Sequence, residues 1–278
     1  MVDIKNVYNS LKNMLGSFGD TANIEAQVLM NHFCGVSLSD IVFGEKKLNE
    51  TDVNRAKTGA KLRAAGYPLQ YILGEWEFFG RKFYVGEGVL VPRQDTEILV
   101  EVCLEYLKTH ECESVADLCS GSGCIAVTLA KEADIKQVVA IEKSQKATEY
   151  LNRNIKHNRA NVSVVCDDVL SPTKLLHELD LLVSNPPYLT QMDMELLQKE
   201  VRFEPKIALY GGEDGSAFYY GIVQNYKECI NKGGMIAFEI GQGQHNIVKN
   251  ILSENGFKDI CLYKDLCGII RVVTGIKE

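Results

Sequence analysis

Ser114-Val115-Ala116-Asp117-Leu118-Cys119-Ser120-Gly121-Ser122-Gly123-Cys124-Ile125-Ala126 runs from an apolar strand pattern, through a glycine loop, into the start of a helix. Gly121 and Gly123 allow a left-handed backbone and close approach of a ligand, and the N-terminus of the following helix favours negative charge. The Gly-x-Gly-x-x-Ala spacing also fits the dinucleotide-binding fingerprint, and Glu142 stands about 20 residues on, where an acidic residue binds ribose hydroxyls.

Three readings of this loop compete: a plain strand-to-helix turn, a nicotinamide or flavin site, and an S-adenosylmethionine site. Asp117, four residues before the first glycine, favours the third. A carboxylate there repels a pyrophosphate and suits the ammonium and sulfonium of S-adenosylmethionine. Cys119, Ser120, Gly121, Ser122 and Gly123 then form the cofactor loop, with Glu142 on the ribose. Asp167-Asp168 comes after the third strand pattern and can reach the adenine edge, although a solvated strand-end turn explains the pair equally well.

Outward from this unit, a helix from Asp95 to about Thr109 precedes the strand Ser114–Leu118. Further strand patterns occur at Gln137–Ile141, Val162–Cys166, Leu179–Ser184, Met235–Ile240, Asp259–Tyr263 and Ile269–Thr274. The first four are separated by segments of helix length, such as Ala147–His157, which implies a parallel sheet covered on both faces. Too few residues join the last two strands for a crossover, so they pair antiparallel. Ligands bind such sheets at the carboxyl ends of the strands, where the topology switches.

The N-terminal region differs. Ile4, Val7, Tyr8, Leu11, Met14 and Leu15 recur at helical spacing, and Asp20-Thr21 offers an N-cap for a second helix through Val28, Leu29 and Phe33. Ser37 and Asp40 have capping-box spacing, and Thr51-Asp52 starts a helix that ends before Gly66. Aromatic and β-branched residues with glycine punctuation at Tyr71–Gly80 and Lys82–Val85 predict a hairpin. The organisation expected is a helical domain over 1–70, a hairpin linker over 71–92 and an α/β domain over 93–278.

Composition narrows the class. Of 278 residues, 46% are hydrophobic and 24% charged, as in an ordinary globular protein. No apolar run approaches the length of a membrane span, and Met1-Val2-Asp3-Ile4-Lys5 lacks the basic start of a signal peptide, so a cytoplasmic protein is expected. The nine cysteines have no Cys-x-x-Cys pair and read as small buried residues of a reduced protein, with no metal site. The net charge of −7 argues against a nucleic-acid duplex as partner.

The chemistry is written most specifically in Asn185-Pro186-Pro187-Tyr188, directly after the Leu179–Ser184 strand. An amide or exocyclic amine has its lone pair in conjugation and is a poor nucleophile. As it takes up a methyl group it becomes cationic and its hydrogens become stronger donors. Acceptors aimed at them favour the transition state over the ground state. Asn185 supplies its side-chain oxygen and Pro186 its carbonyl. Proline brings no N–H to compete and holds the preceding residue extended. Tyr188 offers a flat face to a planar group. The residues thus point to methyl transfer onto a planar, conjugated NH2.

These residues, with Tyr71–Gly80, Pro92-Arg93-Gln94-Asp95-Thr96-Glu97, Arg202-Phe203-Glu204-Pro205, Ala208–Gly215, Glu239-Ile240-Gly241 and Tyr263-Lys264-Asp265-Leu266, resemble the HemK/PrmC family of release factor glutamine methyltransferases over nearly the whole chain. The resemblance implies a class I S-adenosylmethionine-dependent methyltransferase fold, Rossmann-like with a seven-stranded, mostly parallel sheet, behind a small all-helical domain that helps dock the substrate. It implies methylation of the side-chain amide of the glutamine in the Gly-Gly-Gln motif of class I peptide chain release factors, with S-adenosylhomocysteine as product. By position, Asn185 to Tyr188 hold the glutamine, and Cys119 to Gly123, Glu142 and the Asp168-Val169 region hold the cofactor. The chain departs from the family where Cys119 replaces a frequent glycine, Gln94 a frequent proline and Val169 a frequent aromatic, and where Gly268-Ile269-Ile270-Arg271 replaces a Gly-Arg-Asp-Arg pattern.

A DNA adenine or ribosomal-RNA guanine methyltransferase is the rival, because the same tetrapeptide serves exocyclic amines of bases. Such enzymes capture an unstacked base and its phosphates, normally with a basic surface. Lysines and arginines in residues 1–75 are balanced by aspartates and glutamates, so docking of a protein is expected instead. A non-catalytic module that only holds the cofactor would not need Asn185–Tyr188.

Overall fold

In the computed structural model of the chain, residues 3–44, 47–173 and 176–278 are described. Met1 and Val2 of the N-terminal reading, and Glu45 and Lys46 of the charge balance, lie outside them. The chain divides into two compact units, Met1–Glu75 with Gln198–Phe203, and Trp76–Leu197 with Glu204–Glu278.

The first unit is helical: α1 (Ile4–Met14), α2 (Thr21–Cys34), α3 (Leu38–Phe43), α4 (Glu50–Ala64) and α5 (Leu69–Leu73). Ile4, Val7 and Leu11 from α1 meet Ala26, Leu29 and Met30 from α2 and Val53, Ala56 and Ala60 from α4 in one apolar core. The helix starts obey side-chain chemistry. Asp3 accepts from the backbone N–H of Lys5 and Asn6, the Ser37–Asp40 capping box forms in both directions, and Asn49 accepts from Thr51 N–H. Asp20 does not cap α2 with its side chain; the Thr21 hydroxyl instead donates to the Phe18 carbonyl at 2.9 Å. The hairpin signal also begins too early, because Leu69–Leu73 form a helical turn that ends on Gly74 in the left-handed conformation.

Arg63 of α4 fastens this unit. Its side chain is only 8% exposed, and it donates from Nε and Nη2 to the two Glu25 oxygens at 2.8 Å each and from Nη1 to Glu200. The guanidinium also lies over the Phe18 ring, 4.1 Å from its centroid. Glu200 comes from the short segment Gln198–Phe203, far along the chain.

The second unit begins with the hairpin β1 (Glu75–Phe78) and β2 (Arg81–Tyr84), then α6 (Asp95–Thr109). Five strands follow, with helices between them except between β5 and β6: β3 (Ser114–Leu118), α7 (Cys124–Glu132), β4 (Gln137–Glu142), α8 (Gln145–Asn158), β5 (Ser163–Cys166), β6 (Leu179–Ser184), α9 (Gln191–Glu195), α10 (Ala217–Tyr226) and β7 (Ile230–Glu239). After α11 (His245–Glu254), β8 (Phe257–Lys264) and β9 (Ile270–Lys277) complete a seven-stranded sheet of order β5-β4-β3-β6-β7-β9-β8. Strands β3 to β7 run parallel and β9 is antiparallel to both of its neighbours.

Alternation along each strand fills both faces. Val115, Leu181, Val183 and Ala237 join one buried cluster with α6 and α7, while Ala116, Leu118, Leu182 and Phe238 join the other with α10 and α11. The expected helix between β5 and β6 is not formed among the described residues, where 167–173 and 176–178 run through turns and bends. Of the cysteines, Cys103, Cys124 and Cys229 are buried as expected. Cys166, Cys261 and Cys267 are exposed, because Cys166 ends an edge strand and the other two lie on the opposite edge strand and its turn.

Replacing Arg63 by Met strands the nearly buried Glu25 carboxylate without a counter-charge, a change that costs about 3–5 kcal/mol when a buried pair loses one member. Hydrogen exchange of the α2 and α4 amides is expected to speed up accordingly, and Glu25→Leu added to Arg63→Met is expected to recover much of the protection. Unchanged exchange in the single variant contradicts this account of the unit.

Candidate active site

The order β5-β4-β3-β6-β7 makes β3 and β6 neighbours where the strand sequence reverses direction. They end in step: Leu118 pairs with Ser184, and the Ser184 hydroxyl donates to the Leu118 carbonyl at 2.6 Å. Cys119, opening the glycine loop, and Asn185, opening the Asn-Pro-Pro-Tyr segment, therefore leave the sheet side by side. A cleft with an empty volume of about 920 Å³, its open mouth included, lies over this point.

Cys119, Ser120, Gly121 and Ser122 line the cleft, together with Glu142, Asp168, Val169, Asn185 and Pro187. Asp117, Gly123, Pro186 and Tyr188 do not. Asp117 is the clearest difference from the sequence expectation of direct ligand contact. Its side chain is fully buried and turned toward α7, where Oδ2 accepts from the Ala126 N–H at 3.1 Å. That places a carboxylate beneath the first turn of α7, where the helix dipole favours it. Burial still pushes its carboxyl up to about 7, against the hydrogen bond from Ala126 and the nearby Ser120 hydroxyl, which itself donates to the Asp117 backbone carbonyl at 2.7 Å; Oδ1 has no partner.

The glycines serve different ends. Gly123 has φ +79°, and a Cβ there would meet Leu151 Cδ1 at 2.3 Å, so its space is taken by packing. Gly121 has φ +54° and a Cβ would point into open space. Cys119 itself stands at φ +60°, which explains why glycine suits that position and leaves this chain with a strained backbone there.

Glu142 ends β4 and locks the loop: Oε2 accepts from the Gly121 N–H at 2.8 Å and Oε1 from the Ser144 N–H at 2.7 Å. Burial raises its carboxyl, opposed by these backbone bonds. Asp168 is paired with Lys143 at 2.7 Å and accepts from the Leu170 N–H. Burial raises Asp168 but Lys143 outweighs it, and the carboxyl is lowered.

Asn185 donates from Nδ2 to the Thr96 hydroxyl oxygen at 3.1 Å, which leaves Oδ1 as the end able to accept from a substrate. Tyr188 has its hydroxyl directed to Glu239 Oε1 at 3.4 Å. Its carbonyl accepts from Gln244 Nε2 at 2.9 Å, and Gln244 Oε1 in turn accepts from the Gly241 N–H and the Tyr219 hydroxyl. The tetrapeptide is thus clamped from α6, β7 and the turn before α11.

Sequence reasoning missed one wall. Gly88 to Arg93 line the cleft opposite the glycine loop and are held by buried Glu204, which accepts from the Val91 N–H at 3.0 Å and from Arg93. Asn154 of α8, fully buried, ties Tyr84 of the hairpin to the Ser122 carbonyl. Arg93 and Glu204 both lie in stretches that carry the family resemblance, but their contact across 111 positions, like those of Asn154, is not written in any local pattern. Lys143 was passed over as well, although its place directly after Glu142 is a signal that could have found it.

Gly121→Ala meets backbone strain alone, about 1–2 kcal/mol. Gly123→Ala meets the strain and the Leu151 clash, roughly 2–5 kcal/mol in sum. Urea unfolding of the two variants tests the order; equal losses refute the packing role of Gly123.

A family model described as the PrmC N-terminal domain matches residues 7–74, and one described as the methyltransferase small domain matches 94–203. The release factor glutamine methyltransferase of Thermodesulfovibrio yellowstonii is 38% identical over 253 residues, 90% of each chain. That of Clostridium botulinum is 41% identical over 220 residues, 78% of each chain. Among solved structures, the hMettl16 catalytic domain with a MAT2A 3′UTR hairpin aligns with a TM-score of 0.57 at 16% identity over 90% of each chain. A methyltransferase from Pyrococcus furiosus aligns at 0.53 and 20% identity, over 72% of this chain and 90% of that one. At such identities these two speak for the fold alone: a seven-stranded methyltransferase sheet. With more than a third of positions identical to several relatives over most of its length, the chain belongs to the release factor glutamine methyltransferase family.

Proposed function

We propose that this chain transfers a methyl group from S-adenosylmethionine to the side-chain amide nitrogen of the glutamine in the Gly-Gly-Gln motif of class I peptide chain release factors. The observation that carries the proposal is the in-step ending of β3 and β6, which sets the Asn185 amide beside the cofactor loop in one cleft. Family membership supplies the substrate class.

The residues fit the cofactor. Glu142 offers a carboxylate at the ribose position, and Gly121 opens on free space beside the loop backbone. Leu90, Val169, Ile207 and Phe218 give apolar walls for a purine, with Asp168 at the edge to accept from its amine. Glu142 and Asp168, the carboxylates that line the cleft, disfavour a pyrophosphate there. When bound, S-adenosylmethionine supplies the activated methyl group. Asn185 Oδ1 and the Pro186 carbonyl then accept the two hydrogens of the substrate amide, whose acidity grows as methyl is taken up. Asn185 therefore orients the nitrogen and stabilises positive charge, while the apolar walls exclude water.

We assign the helical unit to docking of the release factor. Leu38, Val42 and Phe43 of α3 are exposed apolar residues at 58%, 54% and 73%. Such a cluster suits a protein partner. Action on release factors implies a cytoplasmic protein, and among the described residues no helix is long and apolar enough to cross a membrane.

Incubation with methyl-labelled S-adenosylmethionine and unmethylated release factor is expected to label the Gly-Gly-Gln glutamine, as mapped by mass spectrometry, and not a Gly-Gly-Ala control. Label on DNA or RNA instead would move the substrate to nucleic-acid amines. Asn185→Ala is expected to bind cofactor normally and to lose roughly 10²–10³ in kcat, as when one transition-state hydrogen-bonding group is removed. Near-normal turnover would sink the mechanism. Phe43→Ser is expected to raise KM for intact release factor about fivefold, the cost of one contact residue worth about 1 kcal/mol. A Gly-Gly-Gln peptide should be unaffected by that change; an unchanged KM for the whole protein contradicts the docking role.

A further inference from the structure

Arg93 lines the cleft together with Asn185 and Pro187, on the wall opposite the glycine loop. Thr96 accepts from the Asn185 amide at 3.1 Å and also donates its backbone N–H to the Arg93 carbonyl at 3.2 Å. Arg93 is thereby tied to the group that holds the substrate nitrogen. Its side chain is 38% exposed, so a ligand can reach it.

A guanidinium carries five N–H donors in a planar fork and no acceptor. Nη2 donates to Glu204 Oε1, and the guanidinium meets no other partner among the described residues. Donors therefore remain for a ligand. Glu204 is fully engaged in holding the wall: its side chain is 2% exposed and its other oxygen accepts from the Val91 N–H at 3.0 Å.

This pairing decides which ligand suits. A cation already neutralised by a buried carboxylate has weak attraction for a second anion, yet its remaining N–H groups donate well to a neutral carbonyl. Neutrality also serves the reaction. The substrate amide gains positive charge as it takes up methyl, and an uncompensated cation beside it would oppose that step. The two residues before the target glutamine are glycines, which present no side chain. Their main-chain carbonyls are the acceptors that such a segment offers.

We propose that Arg93 is a substrate-binding residue whose free N–H groups donate to the main-chain carbonyls of the glycine pair before the target glutamine, and that Glu204 is the positioning residue that aims it. The inference rests on the proposed function for the identity of the substrate. A planar fork matches acceptors only in a fixed arrangement, so Arg93 selects the backbone shape of the Gly-Gly segment while Asn185 holds the amide.

Arg93→Met removes the donors and keeps the apolar stem. It is expected to raise KM for intact release factor by roughly 10–100-fold, the worth of one charge-assisted hydrogen bond, with kcat at saturation changed far less. Affinity for S-adenosylhomocysteine, by calorimetry, should stay within about twofold of the wild type. Arg93→Lys keeps the charge without the fork and should recover only part of the loss.

Arg93→Met also strands the buried Glu204 carboxylate, so its effect mixes recognition with a disturbed wall. Adding Glu204→Gln removes that charge and keeps an acceptor for the Val91 N–H. The double variant is expected to regain stability to urea and to keep the raised KM. Recovery of KM together with stability would make the pair purely structural and overturn the proposal. So would a loss of S-adenosylhomocysteine affinity with KM for release factor unchanged, which would assign the guanidinium to the cofactor carboxylate.

A change on the substrate side isolates the contact. In a Gly-Gly-Gln peptide, exchange of a glycine carbonyl oxygen for sulfur, a poorer acceptor, should raise KM for the wild type and add nothing in Arg93→Met. An equal penalty in both proteins at each glycine overturns the inference. Release factor left unlabelled by the wild type would defeat the function and this inference together. Release factor labelled by Arg93→Met with the wild-type KM would defeat the inference alone.

Discussion

Two parallel strands ending in step are the constraint on which the site depends. Because Leu118 and Ser184 lie opposite each other, the glycine loop and the Asn-Pro-Pro-Tyr segment cannot be displaced independently. A slip of one residue would turn every side chain of β6 to the other face, exchanging Leu181 and Val183 with Leu179 and Leu182 between two apolar clusters. The register is therefore held by core burial at about 1.5–3 kcal/mol for each such side chain, well beneath the chemistry it aligns. The hydroxyl of Ser184 on the Leu118 carbonyl closes the pair at the edge of the cleft.

Around that edge the protein keeps charge where water is scarce. Asp117, Glu142 and Glu239 sit at or near the carboxyl ends of β3, β4 and β7, and burial raises all three. Each is opposed by donors: the first turn of α7 for Asp117, the loop backbone for Glu142, the Tyr188 hydroxyl for Glu239. A carboxylate left unpaired in such surroundings would take up a proton instead. These groups organise backbone and side chains as much as they face a ligand, and only Glu142 does both.

Much of this was legible in the sequence because it is local. The bounds of β3 and β6 come from apolar runs flanked by turn residues, and the capping box at Ser37–Asp40 is a four-residue pattern. The face of Asp117 was misread because the glycine loop beyond β3 outweighed the alternation within the strand, which turns residue 117 toward α7. The hairpin was begun early because Tyr71-Ile72-Leu73 is β-branched and aromatic, yet Pro68 and Gly74 bracket a helical turn. The contacts that stayed hidden are long-range: Glu204 on Val91 and Arg93, Asn154 on Tyr84 and Ser122, Thr96 on Asn185. No spacing rule predicts which distant side chain will satisfy a buried donor.

The helical unit carries a further consequence. Its buried arginine is satisfied partly by Glu200, from six residues that return to it after more than a hundred positions spent elsewhere. It is therefore not a cassette. An exchange of residues 1–75 for a relative's would set a different side chain opposite Glu200 in place of Arg63 wherever the relative lacks that arginine. A chimera that keeps the Arg63–Glu200 pair would carry Gln198–Phe203 along with the N-terminus.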